Sequence, residues 1–220
     1  MTEPAALQKL LTWLSPAFPV GAFAWSAGLE TAIASRTVSD SNTLEHWLRG
    51  ALTHGGIRTD AIFLAHAFRI EVDAAALNEA ADLYLALTPA SERRAETLTT
   101  GDSFAIAAAA WPSDVFTRLP SPCPYPIAVG AVAAAHRIDL PDTLISFPTA
   151  AIHSQVSVAV RLVPLGQTAG LKVMAALEPQ IAALAAFAAT ATLDDLGTIA
   201  YAADIAQMRH ETLGTRIFRS

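Results

Sequence analysis

Lysine is nearly missing from this chain: Lys9 and Lys172 are the only two, so almost all of its positive charge is arginine. A surface that attracts nucleic acid carries a basic excess, whereas here 14 basic residues face 20 acidic ones for a net charge of −6. Nucleic acid is therefore not an expected partner. Cysteine is scarcer still. The lone Cys123 excludes an intramolecular disulfide and a cysteine-rich metal site, and it sits between prolines with no activating neighbour, so it reads as an inert thiol. Catalytic signatures are also missing. There is no glycine-rich phosphate loop ending in Gly-Lys, no Gly-x-Ser-x-Gly elbow and no His-Glu-x-x-His zinc helix; His210-Glu211 starts the last of these, but Gly214 stands where the second histidine belongs. An enzyme is the weaker class, and no cofactor or bound metal is expected. The longest apolar run, residues 173–193, is interrupted by Glu178-Pro179-Gln180, so no membrane span is expected. The start of the chain carries Glu3 and no basic run, unlike a secretory signal, which makes the cytoplasm the expected location.

What the chain has in plenty is alanine. It lifts the hydrophobic share to 53% without adding much bulk, and it favours helix. Helical strides run along most of the sequence. Leu7, Leu10, Leu11 and Leu14 read as one buried face, and Leu44, Trp47, Leu48, Ala51 and Leu52 form another after a polar start at Ser39-Asp40-Ser41. Ile62, Phe63, Leu64, Ala67 and Phe68 follow the Gly55-Gly56 break, and residues 74–87, 92–110 and 125–136 continue the pattern. Residues 141–161 mix helix formers with β-branched residues and are harder to type. Leu171, Met174, Leu177, Ile181, Leu184 and Phe187 keep a helical stride through Pro179. For the last helix, residues 192–195 read as its cap, Arg209 and His210 as its final turn, and Gly214 as its stop. No alternating strand, repeat or flexible linker interrupts this. The expected fold is all-α: a single-domain helical bundle over residues 1–220.

Three segments look chosen for shape. The first is Leu14-Ser15-Pro16-Ala17-Phe18-Pro19-Val20-Gly21-Ala22-Phe23-Ala24-Trp25-Ser26-Ala27-Gly28-Leu29-Glu30. Its prolines and Gly21 impose an extended approach to a helix, with Phe18, Phe23 and Trp25 spaced closely, either as core or as a ledge for a partner. The second, Arg161-Leu162-Val163-Pro164-Leu165-Gly166-Gln167-Thr168, breaks two apolar helices and offers Gln167 for hydrogen bonding. The third is the terminus from Arg209 to Ser220, closing on Arg216-Ile217-Phe218-Arg219-Ser220. Terminal residues are usually disposable, but two guanidinium groups around two large apolar side chains suit a protein interface. The alternative is a frayed helix with Ile217 and Phe218 tucked against the core. The six histidines are scattered, and no two form an i, i+4 pair.

Taken in order, these segments resemble the UreF-type urease accessory proteins. The family's Ser-Pro-x-Phe-Pro-x-Gly run leading to Ser-x-Gly-Leu-Glu matches Ser15 through Glu30, its Pro-Leu-Gly-Gln turn matches Pro164 to Gln167, and its Asp-Ile-x-x-Met-x-His-Glu and Ser/Thr-Arg-Leu-Phe-Arg-Ser ending matches Asp204 through Ser220, with Ile217 in place of leucine. Phe23 falls where some relatives carry tyrosine, and Trp25 where the aromatic varies. The resemblance implies an all-α, non-enzymatic adaptor with mobile N- and C-terminal segments. Such a protein binds the accessory protein UreD (also called UreH) and with it recruits the nickel-carrying GTPase UreG. The assembly delivers nickel to the urease apoprotein, coupled to GTP hydrolysis. A homodimer is implied, at least in complexes. By the same resemblance the partner-binding residues are Phe18, Phe23, Trp25, Glu30, Arg161, Gln167, Arg209, His210, Glu211, Arg216, Ile217, Phe218, Arg219 and Ser220. Arg216 and Phe218 are the expected anchors, with His210 and Glu211 setting the exit of the tail. Two alternatives stay open: a metallochaperone binding nickel through His153, His210 and Glu211, and a regulator of a GTPase outside urease maturation, with Arg209, Arg216 or Arg219 as an arginine finger.

Overall fold

The computed structural model describes residues 3–220. Among them are ten α-helices and no strand: α1 (Pro4–Trp13), α2 (Leu29–Ala34), α3 (Ser41–Thr53), α4 (Gly56–Arg69), α5 (Ala74–Ala86), α6 (Ser91–Ala108), α7 (Tyr125–Ala135), α8 (Leu140–Leu162), α9 (Gln167–Ala188) and α10 (Tyr201–His210). The all-α expectation from periodicity holds.

The bundle is centred on α4 and α7. Every residue from Asp60 to Ala65 and from Pro126 to Ala133 is buried, so the middle of each helix is enclosed on all sides and α7 reads as apolar around its circumference. Their axes approach closely because α7 has Gly130 at the crossing: a Cβ there would stand 2.3 Å from the Leu64 carbonyl oxygen. A second glycine, Gly101 on α6, makes room for the loop into α7, since its Cβ would fall 2.0 Å from the Cys123 carbonyl oxygen. The other helices pack around this pair, α6 against α7, α8 against α4 and α9, and α3 against α9. Asp40 caps α3 through the Thr43 N–H at 2.8 Å, and Asp73 caps α5 through two N–H groups.

Several local expectations are corrected. On α1 the buried residues are Ala6, Leu10 and Trp13, while Leu7 and Leu11 face solvent. The cause is Trp13, whose ring meets Phe104, Trp111 and His136 edge-on and so sets the rotation of the helix. Residues 192–195 do not cap the last helix. Thr192 and Asp195 form a reciprocal cap on a three-residue 3₁₀ turn, Leu193–Asp195, after which Gly197 takes a left-handed φ of 99° and α10 begins only at Tyr201. Nor does Gly214 stop α10, which ends at His210, where both ring nitrogens are already held by carboxylates of other helices. Finally, α9 runs on through Pro179, so the Glu178-Pro179-Gln180 interruption is weaker than the sequence implied. With 22 residues and a mean hydropathy of 1.4 the helix is long and apolar enough to cross a membrane; here it lies along α3 and α8. The Pro164–Gln167 break between α8 and α9 is where the sequence placed it.

Candidate partner-binding surface

Segment 15–30 is shaped by backbone geometry before its side chains matter. Gly21 adopts φ 73° and admits a short 3₁₀ turn, Ala22–Ala24. Ala27 and Gly28 follow with φ 49° and 81°, two successive left-handed residues. At Gly28 the absence of a side chain is obligatory, because a Cβ would meet the Gln207 backbone nitrogen at 2.8 Å. The left-handed corner thus seats α10 against α2 and aims Glu30, in the first turn of α2, into the interior.

Glu30 is the hub. Its Oε1 accepts the Ile217 N–H at 2.8 Å, and its Oε2 accepts the Phe218 N–H at 3.0 Å and lies 2.9 Å from His210 Nε2. The opposite nitrogen of His210, Nδ1, lies 2.7 Å from Glu92 Oε2 on α6, and Arg216 donates to Glu92 Oε1 at 2.7 Å. Beyond the hub the tail pairs with segment 24–27: Arg219 N–H donates to the Ala24 carbonyl at 2.7 Å, Ser26 N–H donates to the Ser220 carbonyl at 2.9 Å, and Ala27 N–H donates to Ser220 Oγ at 3.1 Å. The Ser26 hydroxyl also donates to the Ser220 carbonyl. The tail is therefore docked along α2 and α6 by charge-assisted bonds to the Glu30 and Glu92 carboxylates.

The residues singled out in the sequence divide accordingly. Trp25, Glu30, His210, Arg216, Phe218, Arg219 and Ser220 come together. Trp25 is buried beneath the Arg219 guanidinium, 5.9 Å from its ring centre. Phe218 joins the hydrophobic core and Ser220 is enclosed, but Ile217 between them is 72% exposed. Glu211 accepts a hydrogen bond from Ser91 at 2.5 Å, which fixes the exit of the tail from α10. Phe23, half-exposed, lies under the Arg161 guanidinium at 5.6 Å and extends the surface toward the end of α8. Phe18 turns inward against Phe104 and Trp111. Gln167 and Arg209 are exposed and, among the described residues, share no side-chain hydrogen bond with the tail. No group of three or more His, Cys, Asp or Glu side chains among the described residues is arranged to hold a metal ion.

Sequence reading missed Glu92 and Glu96, which sit one turn apart in the run Ser91-Glu92-Arg93-Arg94-Ala95-Glu96 and look like an ordinary solvated helix face. In the structure Arg93 donates to Asp60 at 2.5 Å and pairs with Glu96 at 3.2 Å, and the Tyr84 hydroxyl donates to Asp60 at 2.7 Å. Ser220 Oγ reaches Glu96 at 3.4 Å, linking this network to the tail. Burial raises the Glu96 pKa against the opposing pull of Arg93, so the folded state disfavours its charge. A carboxyl raised on folding contributes stability at low pH and loses it as pH rises through its folded value. Glu96→Gln, neutral throughout, should therefore gain in thermal midpoint relative to the native chain as pH rises from the ordinary carboxylate range toward neutrality. A difference between the two midpoints that stays constant with pH would refute the assignment.

A family model described as UreF matches residues 38–178. The chain is 50% identical over 216 residues to the Urease accessory protein UreF of Agrobacterium fabrum, an alignment covering 98% of this chain and 97% of that relative. It is 48% identical over 218 residues to the Urease accessory protein UreF of Rhizobium etli, covering 99% and 98%, and 47% identical over 225 residues to that of Rhodopseudomonas palustris, covering 99% and 94%. The matched family range begins after Glu30 and ends before α10, so the similarity around the docked tail rests on the relatives that align over nearly the full length.

Proposed function

The chain belongs to the UreF family and supports urease maturation, and from that premise we propose that it works as a non-enzymatic adaptor, using its docked tail to bind UreD (UreH) and with it recruit the GTPase UreG for nickel insertion into the urease apoprotein. The observation that carries this reading is the Glu30 hub. It holds residues 216–220 in one conformation and turns Ile217 outward, next to Arg216 and Arg219. An interface anchor held in its bound conformation loses less entropy when a partner arrives. A segment free until that moment pays its ordering cost then, and the hub sets how that cost is divided between the chain and its partner. Homodimerisation and a cytoplasmic location belong to the same proposal.

Arg216 and Phe218 hold the tail to the body, through Glu92 and the core respectively, so Arg216→Ala with Phe218→Ala acts by undocking. Ile217 tests contact itself. Purified chain mixed with UreD and UreG, with nickel and GTP, should form a defined complex by size exclusion with light scattering. Deleting residues 216–220 should abolish it, and Ile217→Ala should weaken it by roughly tenfold, an ordinary hot-spot effect, with the helical spectrum unchanged. Full complex formation by the deletion variant would overturn the reading.

A further inference from the structure

A cavity of about 290 Å³ lies between α3, α6, α8 and segment 13–27; it borders the tail at Ala27 and Glu96, but its interior has no part in the adaptor reading. Trp13, Trp47, Tyr125 and Phe147 contribute aromatic faces to its walls. At its floor stand Asp60, Arg93 and Glu96, two carboxylates against one guanidinium. Gln207 also lines it: the residue is only 9% exposed, and among the described residues its amide has no hydrogen-bond partner. The Tyr125 hydroxyl is likewise without one. Both residues line the cavity, so their unused hydrogen-bonding capacity is available to a molecule that enters it.

We propose that this cavity binds a small organic cation, a primary ammonium on a short apolar or aromatic stem, with the charge on the Asp60–Glu96 floor and the stem against the aromatic walls. Aromatic faces attract a cation and repel an anion, and an ammonium beside Glu96 would favour its ionised form, leaving two carboxylate charges at the floor against one guanidinium. Gln207 and Tyr125 supply oxygen acceptors for ammonium protons that the carboxylates do not take. The volume falls near the lower end of ligand sites, roughly 300 Å³, which suits a small amine better than a cofactor.

The test titrates the full chain with phenethylammonium, with phenylethanol and phenylpropionate as neutral and anionic counterparts, read by calorimetry and by tryptophan fluorescence from Trp13 and Trp47. The ammonium compound should bind one to one and about tenfold more tightly than the alcohol, and the carboxylate should not bind. Glu96→Gln should remove that preference, and Tyr125→Phe, a milder change, should weaken the ammonium alone. Equal affinity for ammonium and alcohol, undiminished preference in Glu96→Gln, or no binding of any probe would overturn the proposal. So would binding of a lysine-bearing peptide but not of the free amine, which would place the cation on a partner protein. Complex formation with UreD and UreG is measured separately, so failure here leaves the adaptor reading intact.

Discussion

In a Glu30→Ala chain the amides of Ile217, Phe218 and Arg219 lose their protection from hydrogen exchange while the core helices keep theirs. Alanine removes the only acceptor of the Ile217 and Phe218 N–H groups and one of the two carboxylates holding His210. Phe218 then has little reason to stay in the core, since its backbone donors would remain buried and unpaired. Breaking one side of a buried charged network costs about 3 kcal/mol, roughly a hundredfold in the ratio of docked to free tail. The loss is local because α2 is short and the central pair α4 and α7 does not depend on it. Glu30→Gln, which keeps one acceptor oxygen, should fall between the native and alanine forms. Exchange by mass spectrometry decides the matter: unchanged protection of the tail in Glu30→Ala would mean that packing of Phe218, not the carboxylate, holds it.

The second large effect is expected at the centre. Gly130→Ala should lower the thermal midpoint by about 5–10 °C, corresponding to about 3 kcal/mol for a chain of this length. Alanine favours helix over glycine by about 1 kcal/mol, but its Cβ would stand 2.3 Å from the Leu64 carbonyl oxygen and 3.0 Å from the carbonyl carbon. Both are backbone atoms in the buried middle of α4 and cannot swing aside like the end of a side chain. α4 and α7 must separate, which loosens contacts along both. Gly50 provides the control: it lies inside α3 with no heavy atom within 4 Å of a built Cβ, so Gly50→Ala should be neutral or stabilise by about 0.5–1 kcal/mol. Equal effects at the two glycines would show that helix propensity, not the α4–α7 approach, governs Gly130.

The Glu30 site was only half legible in advance. Ordered motifs picked out Glu30, His210 and the tail as residues that matter, and Ile217 and Phe218 as a pair, without saying which would face inward. In an extended segment neighbouring side chains point to opposite sides, so docking one of the pair exposes the other. Glu92 and Glu96 left no trace, because a charged helix turn looks the same whether water or a buried histidine faces it. The last helix was misplaced for a related reason. Thr192 and Asp195 do form a cap, but local chemistry cannot tell a three-residue turn from the start of a helix that must later meet α2 and α6.

By itself the sequence determined the helical class, the position of most helices, the break at Pro164–Gln167 and the family. These follow from periodicity, propensity and short-range order, which act over a few neighbouring residues. Only the tertiary structure decided that Gly130 and Gly101 are places where another chain segment passes within contact distance, that Trp13 turns α1, and that Glu30 and His210, distant in sequence, share a bond. Those facts depend on which surfaces meet when the helices pack. Once they meet, burial makes an unpaired carboxylate or N–H costly, and that cost fixes the tail in its groove.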